Sequence, residues 1–118
     1  MSKRIVWAAL LLALAVGAGA ADEVDFDRVS ATDTSTTTTF PEARSSVEIY
    51  NRGPDEIYFR LFTSEGTAAA ATTSHRMLPS GADISFTHNP RTESGLGYLY
   101  VTIVCDTGET ATVEVTSK

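Results

Sequence analysis

The chain is predicted to be an all-β protein, a small antiparallel β-sandwich of the immunoglobulin-like or jelly-roll-like type. Short runs of alternating apolar and polar residues recur from position 45 to the end, and clusters of Gly, Pro and Asn separate them. No amphipathic helical stripe of about ten residues follows the first twenty positions. About six to eight short strands, spaced about ten residues apart, fit a sandwich or a small barrel.

The first twenty residues have the pattern of a secretory signal. Lys3 and Arg4 precede the uncharged apolar run IVWAALLLALAVGA, and AGA at 18–20 supplies the small residues that a signal peptidase recognises. The run is shorter than the about 20 residues that a membrane span needs. We predict a cleaved signal over 1–20. An uncleaved anchor is the alternative, and only that alternative places the protein at a membrane. Either way, the rest lies outside the cytoplasm, in the periplasm or secreted.

The part that follows the signal is acidic. Without Lys3 and Arg4 it keeps 7 of the 9 Lys+Arg and all 15 Asp+Glu, a formal charge of 7 − 15 = −8. Scattered cations on an acidic chain argue against nucleic acid as a partner.

Cys105 is the only cysteine, so an internal disulfide is excluded and a buried free thiol is expected.

Residues 21–44 are predicted to be an acidic arm followed by a Ser/Thr-rich spacer. ADEVDFDRV alternates acidic with apolar residues, which fits an edge strand or a loose arm. SATDTSTTTT is too poor in large apolar groups to drive burial by itself. Because threonine has good β-propensity, an extended outer strand is the alternative to the spacer. The predicted sandwich domain is 45–118.

The domain is predicted to begin with a hairpin. SSVEIY places Val47 and Ile49 on one face, and NRGPDE contains the Asn, Gly and Pro of a reversal. IYFRLF then alternates between one face with Ile57, Phe59 and Leu61 and another with Tyr58, Arg60 and Phe62.

TSEGTAAAATTSHR is predicted to be a loop that leads into a strand, since its Gly and Thr residues oppose the helix that four alanines favour. Pro79 and Gly81 predict a tight turn over 78–81.

Asp106, Thr107 and Gly108 match the D-T-G loop of pepsin-like and retroviral proteases. In that family most of the subunit follows the loop, whereas ten residues follow it here, so a catalytic role is not expected. A three-residue hairpin loop with a left-handed Gly108 is predicted instead. One residue of register reverses every side chain, and this loop length sets apolar residues opposite each other on one face. The predicted pairs are Ile103 with Ala111, Val101 with Val113, and Leu99 with Val115.

The segment SHRMLPSGADISFTH contains His75, Met77 and His88, and thioether and imidazole groups suit copper. A periplasmic copper-binding protein is therefore the alternative function. The alternative to a metal site is that Met77 is a core residue and His75 is solvated. Blue-copper proteins keep His and Met on the loop after the cysteine, and this chain has neither after Cys105.

Three stretches carry a resemblance to a known group of proteins. They are VEIYNRGPDEIYFRL, AAAATTSHRMLPSGADISF and YLYVTIVCDTGETATVEVT. Together, over 46–118, they resemble small β-sandwich accessory or decoration proteins of phages and prophages. The resemblance implies a non-enzymatic structural or decorating role and assigns no functional residue. The predicted export signal is a departure from that group.

Turn and core requirements account for every local motif, so the chain is predicted to be an exported structural or interaction module, not an enzyme, and without a cofactor. The expected partner is another protein or a second copy. Exposed aromatic side chains supply contact area at low entropic cost. The candidate contact residues are Tyr58, Phe62, Tyr98 and Tyr100; the alternative is that these four form a second buried layer.

Overall fold

The computed structural model describes residues 24–118, so the predicted signal at 1–20 lies outside the described residues. The described part forms strands and no helix. The strands are β1 (Asp25–Ala31), β2 (Thr36–Arg44), β3 (Ser46–Pro54), β4 (Ile57–Thr63), β5 (Arg76–Leu78), β6 (Asp83–Thr87), β7 (Tyr98–Val104) and β8 (Ala111–Ser117). From residue 24 onward, no helix is long and apolar enough to cross a membrane.

Two four-stranded antiparallel sheets pack as a sandwich. Sheet A has the order β1-β8-β3-β6, and sheet B has the order β2-β7-β4-β5. Strands therefore pair from the two ends of the chain inwards: β1 with β8, β2 with β7, β3 with β6, and β4 with β5. This is the jelly-roll arrangement, in which one long antiparallel ribbon folds back at its middle and rolls into two sheets. The predicted all-β sandwich is confirmed, and of its two variants the jelly roll is the one that forms.

A single core fills the space between the sheets. Val47 and Ile49 of sheet A and Ile57 and Phe59 of sheet B are at most 3% exposed, as the alternation in the sequence predicts. Cys105 joins the same core as a buried free thiol. Complete burial of one such large apolar side chain contributes about 1.5–3 kcal/mol, so the core is the main source of stability.

The predicted hairpin between β7 and β8 is wrong. β7 lies in sheet B and β8 in sheet A, and Val113 pairs with Val29 and Asn51, not with Val101. Val101 and Val113 still share the core, because both point into the space between the two sheets. Alternation specifies which side chains point inward, but an inward side chain can meet the opposite sheet as well as its own neighbour.

The predicted hairpin between β3 and β4 is wrong for the same reason. β3 pairs with β6 and β8 in sheet A, whereas β4 pairs with β5 and β7 in sheet B. The turn residues at 51–56 do reverse the chain, but they carry it from one sheet to the other. In a jelly roll only the middle connection, β4 to β5, joins strands that pair with each other.

The spacer predicted within 21–44 is also wrong. Asp25–Ala31 and Thr36–Arg44 are edge strands, one in each sheet, so the sandwich begins at Asp25 and not at position 45. The Thr-rich segment is stable as a strand because β7 supplies its hydrogen bonds and Phe40, 2% exposed, anchors it in the core. Arg44, buried in β2, donates to Asp25 Oδ2 at 3.0 Å and ties the two edges together.

Asn51 holds the end of the sandwich where β3, β4 and β5 meet. Its side chain is fully buried; Nδ2 donates to the carbonyls of Asp55 and Leu78, and Oδ1 accepts from Gly53 N at 2.8 Å. The tight turn predicted at 78–81 forms one residue later, since Ala82 N donates to Pro79 O. Gly81 has φ +83°, a conformation that glycine adopts without strain.

Candidate functional site

The outer face of sheet B carries an aromatic patch, which we define as Tyr58, Phe62 and Tyr100. Phe62 and Tyr100 lie opposite each other on β4 and β7. The Arg60 guanidinium stands 4.9 Å from the centre of the Phe62 ring, within range of a cation–π interaction. All three aromatic side chains are half-buried. Three of the four predicted contact residues therefore share one face.

Tyr98, the fourth predicted contact residue, belongs to the core. It is 4% exposed and packs in the same cluster as Val101. The ladder between β4 and β7 shifts at this point, with Thr63 opposite Tyr98 and Phe62 opposite Tyr100. One extra residue, Leu99, is thus inserted on β7, and such a bulge reverses the direction of the side chain that precedes it. Alternation alone had placed Tyr98 beside Tyr100.

A partly buried polar contact holds Tyr98 in place. Its hydroxyl donates to the Glu93 carboxylate, at 3.1 Å to Oε2, and its ring packs edge-to-face with the His88 ring, with the two ring centres 5.5 Å apart. Burial, together with the neighbouring Glu93, raises the pKa of Tyr98 to about 12. The backbone N–H of Asn89 lowers the pKa of Glu93. This cluster anchors the β6–β7 loop and offers no open site.

The β4–β5 loop, residues 64–75, crosses the outer face of sheet B, and we call it the strap. The Ala70 carbonyl accepts a hydrogen bond from Arg60 Nη1 at 3.3 Å, and Ala71 N donates to Ser35 Oγ at 3.0 Å. Arg60 lies on β4 and Ser35 directly precedes β2, on opposite sides of β7. The peptide group between Ala70 and Ala71 is therefore clamped from both sides, and the strap bridges β7.

The residues of β7 beneath the strap are buried although they face outward. Thr102 is 0% and Val104 is 6% exposed. Within residues 24–118, no hydrogen-bond partner reaches Thr102 Oγ1. The strap was predicted as a loop, but its course over the sheet was not. A run of alanines is the one signal for it, since small side chains let a peptide lie close to a sheet.

Met77 extends the aromatic patch towards the edge of sheet B. It lies opposite Tyr58 on β5 and is 47% exposed, so the expectation that it is a core residue is wrong. The Tyr58 hydroxyl donates to Glu56 Oε2 at 2.9 Å. That carboxylate, together with partial burial, raises the pKa of Tyr58. The patch is thus flanked by one cation, Arg60, and by one carboxylate, Glu56.

The three candidate copper ligands do not converge. His75 is in the strap, where Nδ1 accepts a hydrogen bond from Thr72 N at 2.9 Å, and Met77 is on the outer face of sheet B. His88 follows the far end of β6 in the other sheet, buried against Tyr98. Within the described range, no group of three or more His, Cys, Asp or Glu is arranged to hold a metal ion.

The Asp106, Thr107 and Gly108 turn lies in a connection between the sheets, over residues 105–110. The predicted left-handed Gly108 is confirmed, with φ +79°. The turn is closed by Glu109 N donating to Asp106 O at 3.0 Å, and Asp106 Oδ1 accepts from Thr107 N at 2.7 Å. The carboxylate of Asp106 is thus a turn group, exposed on a loop of six residues and not on a three-residue hairpin loop.

Three loops with carboxylates meet at this end of the sandwich. Gly108 N donates to Asp33 Oδ2 at 3.1 Å, and Thr110 N donates to Asp55 Oδ2 at 3.0 Å. Burial raises the pKa of the Cys105 thiol to about 11, and the nearby carboxylates add to the effect. The thiol is therefore protonated at neutral pH and unreactive.

The outer face of sheet A is open and charged. Glu114 on β8 accepts from Arg28 Nη2 and from Arg52 Nη1, each at 2.9 Å. These contacts, with Arg52 contributing most, lower the pKa of Glu114. A groove of about 290 Å³ in the same sheet is lined by residues of β3, β6 and β8. Small hydroxyl side chains line much of it: Ser46, Ser85, Thr87 and Thr116.

Comparison with known proteins adds no relative. No protein-family model matches the chain, and no curated protein matches it. The fold and the two outer faces are therefore the basis for any statement about function.

Proposed function

We propose that the protein is an exported, non-enzymatic β-sandwich module that binds another protein, or a second copy of itself, through the aromatic patch. The observation that carries the proposal is the composition of this face. Tyr58, Phe62 and Tyr100 stand on adjacent strands with the cation of Arg60 among them and the exposed thioether of Met77 at the edge. Tyr, Phe, Met and Arg are the side chains that protein interfaces favour.

The resemblance over 46–118 to phage and prophage accessory proteins supports the same class of function, a structural or surface-decorating one. The predicted signal at 1–20 supports a location outside the cytoplasm. The copper-binding alternative is not carried forward, because His75 is held within the strap and His88 lies beyond the far end of β6 in the other sheet.

Chemical modification of tyrosines tests whether the patch can be reached. We expect Tyr58 and Tyr100 in the isolated folded protein to be modified faster than Tyr98, which is 4% exposed. Tyr50 on sheet A, 37% exposed, is the matched control for an open tyrosine. If Tyr58 and Tyr100 are as protected as Tyr98, the patch is not a contact surface.

Photo-crosslinking tests whether the patch meets a partner. A photoreactive phenylalanine analogue replaces Phe62 on sheet B or, as a control, Thr116 on sheet A. We expect a discrete crosslinked product at position 62 in extracts of the source cells, either with one other protein or with a second copy. Identical products from both positions, or none from position 62, would contradict the proposal.

N-terminal sequencing of the protein recovered from the source tests export separately. The predicted cleavage leaves Ala21 as the first residue. Recovery with Met1 in the cytoplasmic fraction would contradict the signal and leave the patch proposal to be judged by the crosslinks.

A further inference from the structure

The strap lies on sheet B much as a bound peptide would. One peptide group makes both polar contacts, because the Ala70 carbonyl accepts from Arg60 and the Ala71 N–H donates to Ser35. Ala71 is 4% exposed, so its methyl group is buried. The strap is therefore held by contacts to a backbone carbonyl and a backbone amide, next to a small buried side chain.

The strap covers this face incompletely. Thr102 Oγ1 is buried beneath it and finds no partner among residues 24–118. A buried hydroxyl that has lost water without gaining a hydrogen bond opposes burial. Tyr58, Phe62 and Tyr100 also remain half-exposed, since alanine methyl groups cover little of an aromatic ring. A segment that supplied a hydrogen bond to Thr102 would fit this surface better than the strap does.

We propose that the strap is a reversible cover, and that the surface beneath it binds an extended partner segment with small side chains. The partner segment takes the place of 68–71 and makes the same contacts with Arg60 and Ser35. A serine or threonine in it pairs with the hydroxyl of Thr102. This inference rests on the proposed function, since it names what the aromatic patch binds.

Hydrogen exchange in the unaltered protein tests whether the cover opens. We expect the Ala71 amide to exchange through local opening, at least about 100-fold faster than the amides of Val101 and Ile103 in β7. We expect the amides of β7, which is paired on both sides, to exchange only when the sandwich unfolds. If Ala71 exchanges as slowly as these two, the strap is a fixed part of the fold and the inference is wrong.

A matched pair of proline substitutions tests what lies beneath. Ala71→Pro removes the N–H that donates a hydrogen bond to Ser35 Oγ, whereas Ala69→Pro alters an exposed strap residue outside the clamp. We expect Ala71→Pro to increase the modification rate of Tyr58 and Tyr100 severalfold, and Ala69→Pro to leave it near that of the unaltered protein. Equal rates in the two variants would contradict a cover held by this clamp.

A peptide of residues 67–73, acetylated and amidated, serves as the partner probe. We expect it to shift the NMR signals of Tyr100 and Thr102 in the Ala71→Pro protein, and the shift to be lost when Ser35→Ala is added. The absence of any shift would overturn the inference but not the proposed function, which the Phe62 crosslinks decide. Peptide binding without a crosslinked partner would instead support peptide binding beneath the strap and contradict the proposed function.

Discussion

The two outer faces of the sandwich are built alike but differ in what covers them. Each contains an interior strand from the last part of the chain, β8 in sheet A and β7 in sheet B. On β8, Glu114 and Thr116 remain partly exposed, and the charges of Glu114, Arg28 and Arg52 pair with one another in contact with solvent. On β7, Thr102 and Val104 are buried by the strap.

The difference shows that outward alternation does not settle exposure. Thr102 and Thr116 are the same residue type at outward positions of central strands, yet the first is 0% exposed and the second is partly exposed. A loop of small residues from elsewhere in the chain makes the difference.

The largest expected effect is that of a charge placed under the strap. Thr102→Lys buries an unpaired ammonium group, and we expect it to lower the free energy of unfolding by about 3–5 kcal/mol. Thr116→Lys, at the open position on sheet A, is expected to change it by less than about 0.5 kcal/mol. Urea denaturation of both variants measures the difference. A cost below about 1 kcal/mol for Thr102→Lys would mean that the strap moves aside easily, and the contrast between the faces would fail.

Removal of the unpaired hydroxyl is expected to act in the opposite direction. Thr102→Val keeps the shape of the side chain and removes a buried group without a partner, so we expect a gain of about 1 kcal/mol in the free energy of unfolding. Thr112→Val, on the partly exposed face of β8, is the control and is expected to be near neutral. A loss of stability in Thr102→Val would show that the hydroxyl is bonded in solution.

Acid is expected to weaken the ion pairs of Glu114 on sheet A and to leave the clamped 70–71 peptide group of the strap unchanged. The pKa of Glu114 is lowered from 4.5 by Arg52 and Arg28. The stabilisation that it contributes is therefore complete above about pH 4.5 and lost as the pH falls through its lowered value. The 70–71 peptide group of the strap is held through neutral oxygen acceptors, the Ala70 carbonyl and the Ser35 hydroxyl, whereas the imidazole acceptor of the strap, His75 Nδ1, bonds to Thr72 N. NMR signals of the Arg28 and Arg52 side chains should change in this range while that of the Ala71 amide stays constant.

Glu114→Gln provides the control for the acid titration. It removes the titrating carboxylate, so the arginine signals should lose that pH dependence. High salt should weaken the same ion pairs, since Arg28 and Arg52 are more than half exposed, and leave the strap amide unchanged. An Ala71 amide that follows acid in the unaltered protein but not in Glu114→Gln would mean that the two faces are coupled through the core.

Most of the core could be predicted from single residues. Ile49, Phe59 and Val113 are buried as their alternation requires, and Gly108 is left-handed as its turn requires. The candidate site was predicted in part: Tyr58, Phe62 and Tyr100 do share a face, but Tyr98 does not. A bulge reverses Tyr98, and its position depends on how β7 aligns with β4, which no local pattern encodes.

From position 46 onward, the local sequence pattern predicted most of the strands, most of their inward faces and the turns, because a period of two and the backbone preferences of Gly and Pro are local properties. The pairing of the strands is a property of the whole fold. Consecutive strands were expected to form hairpins, but here β1 closes on β8 and β2 on β7. An inward apolar side chain is equally well buried in either arrangement, so the choice depends on how the whole ribbon rolls. The same rolling brings the strap across β7 and separates the covered face from the open one.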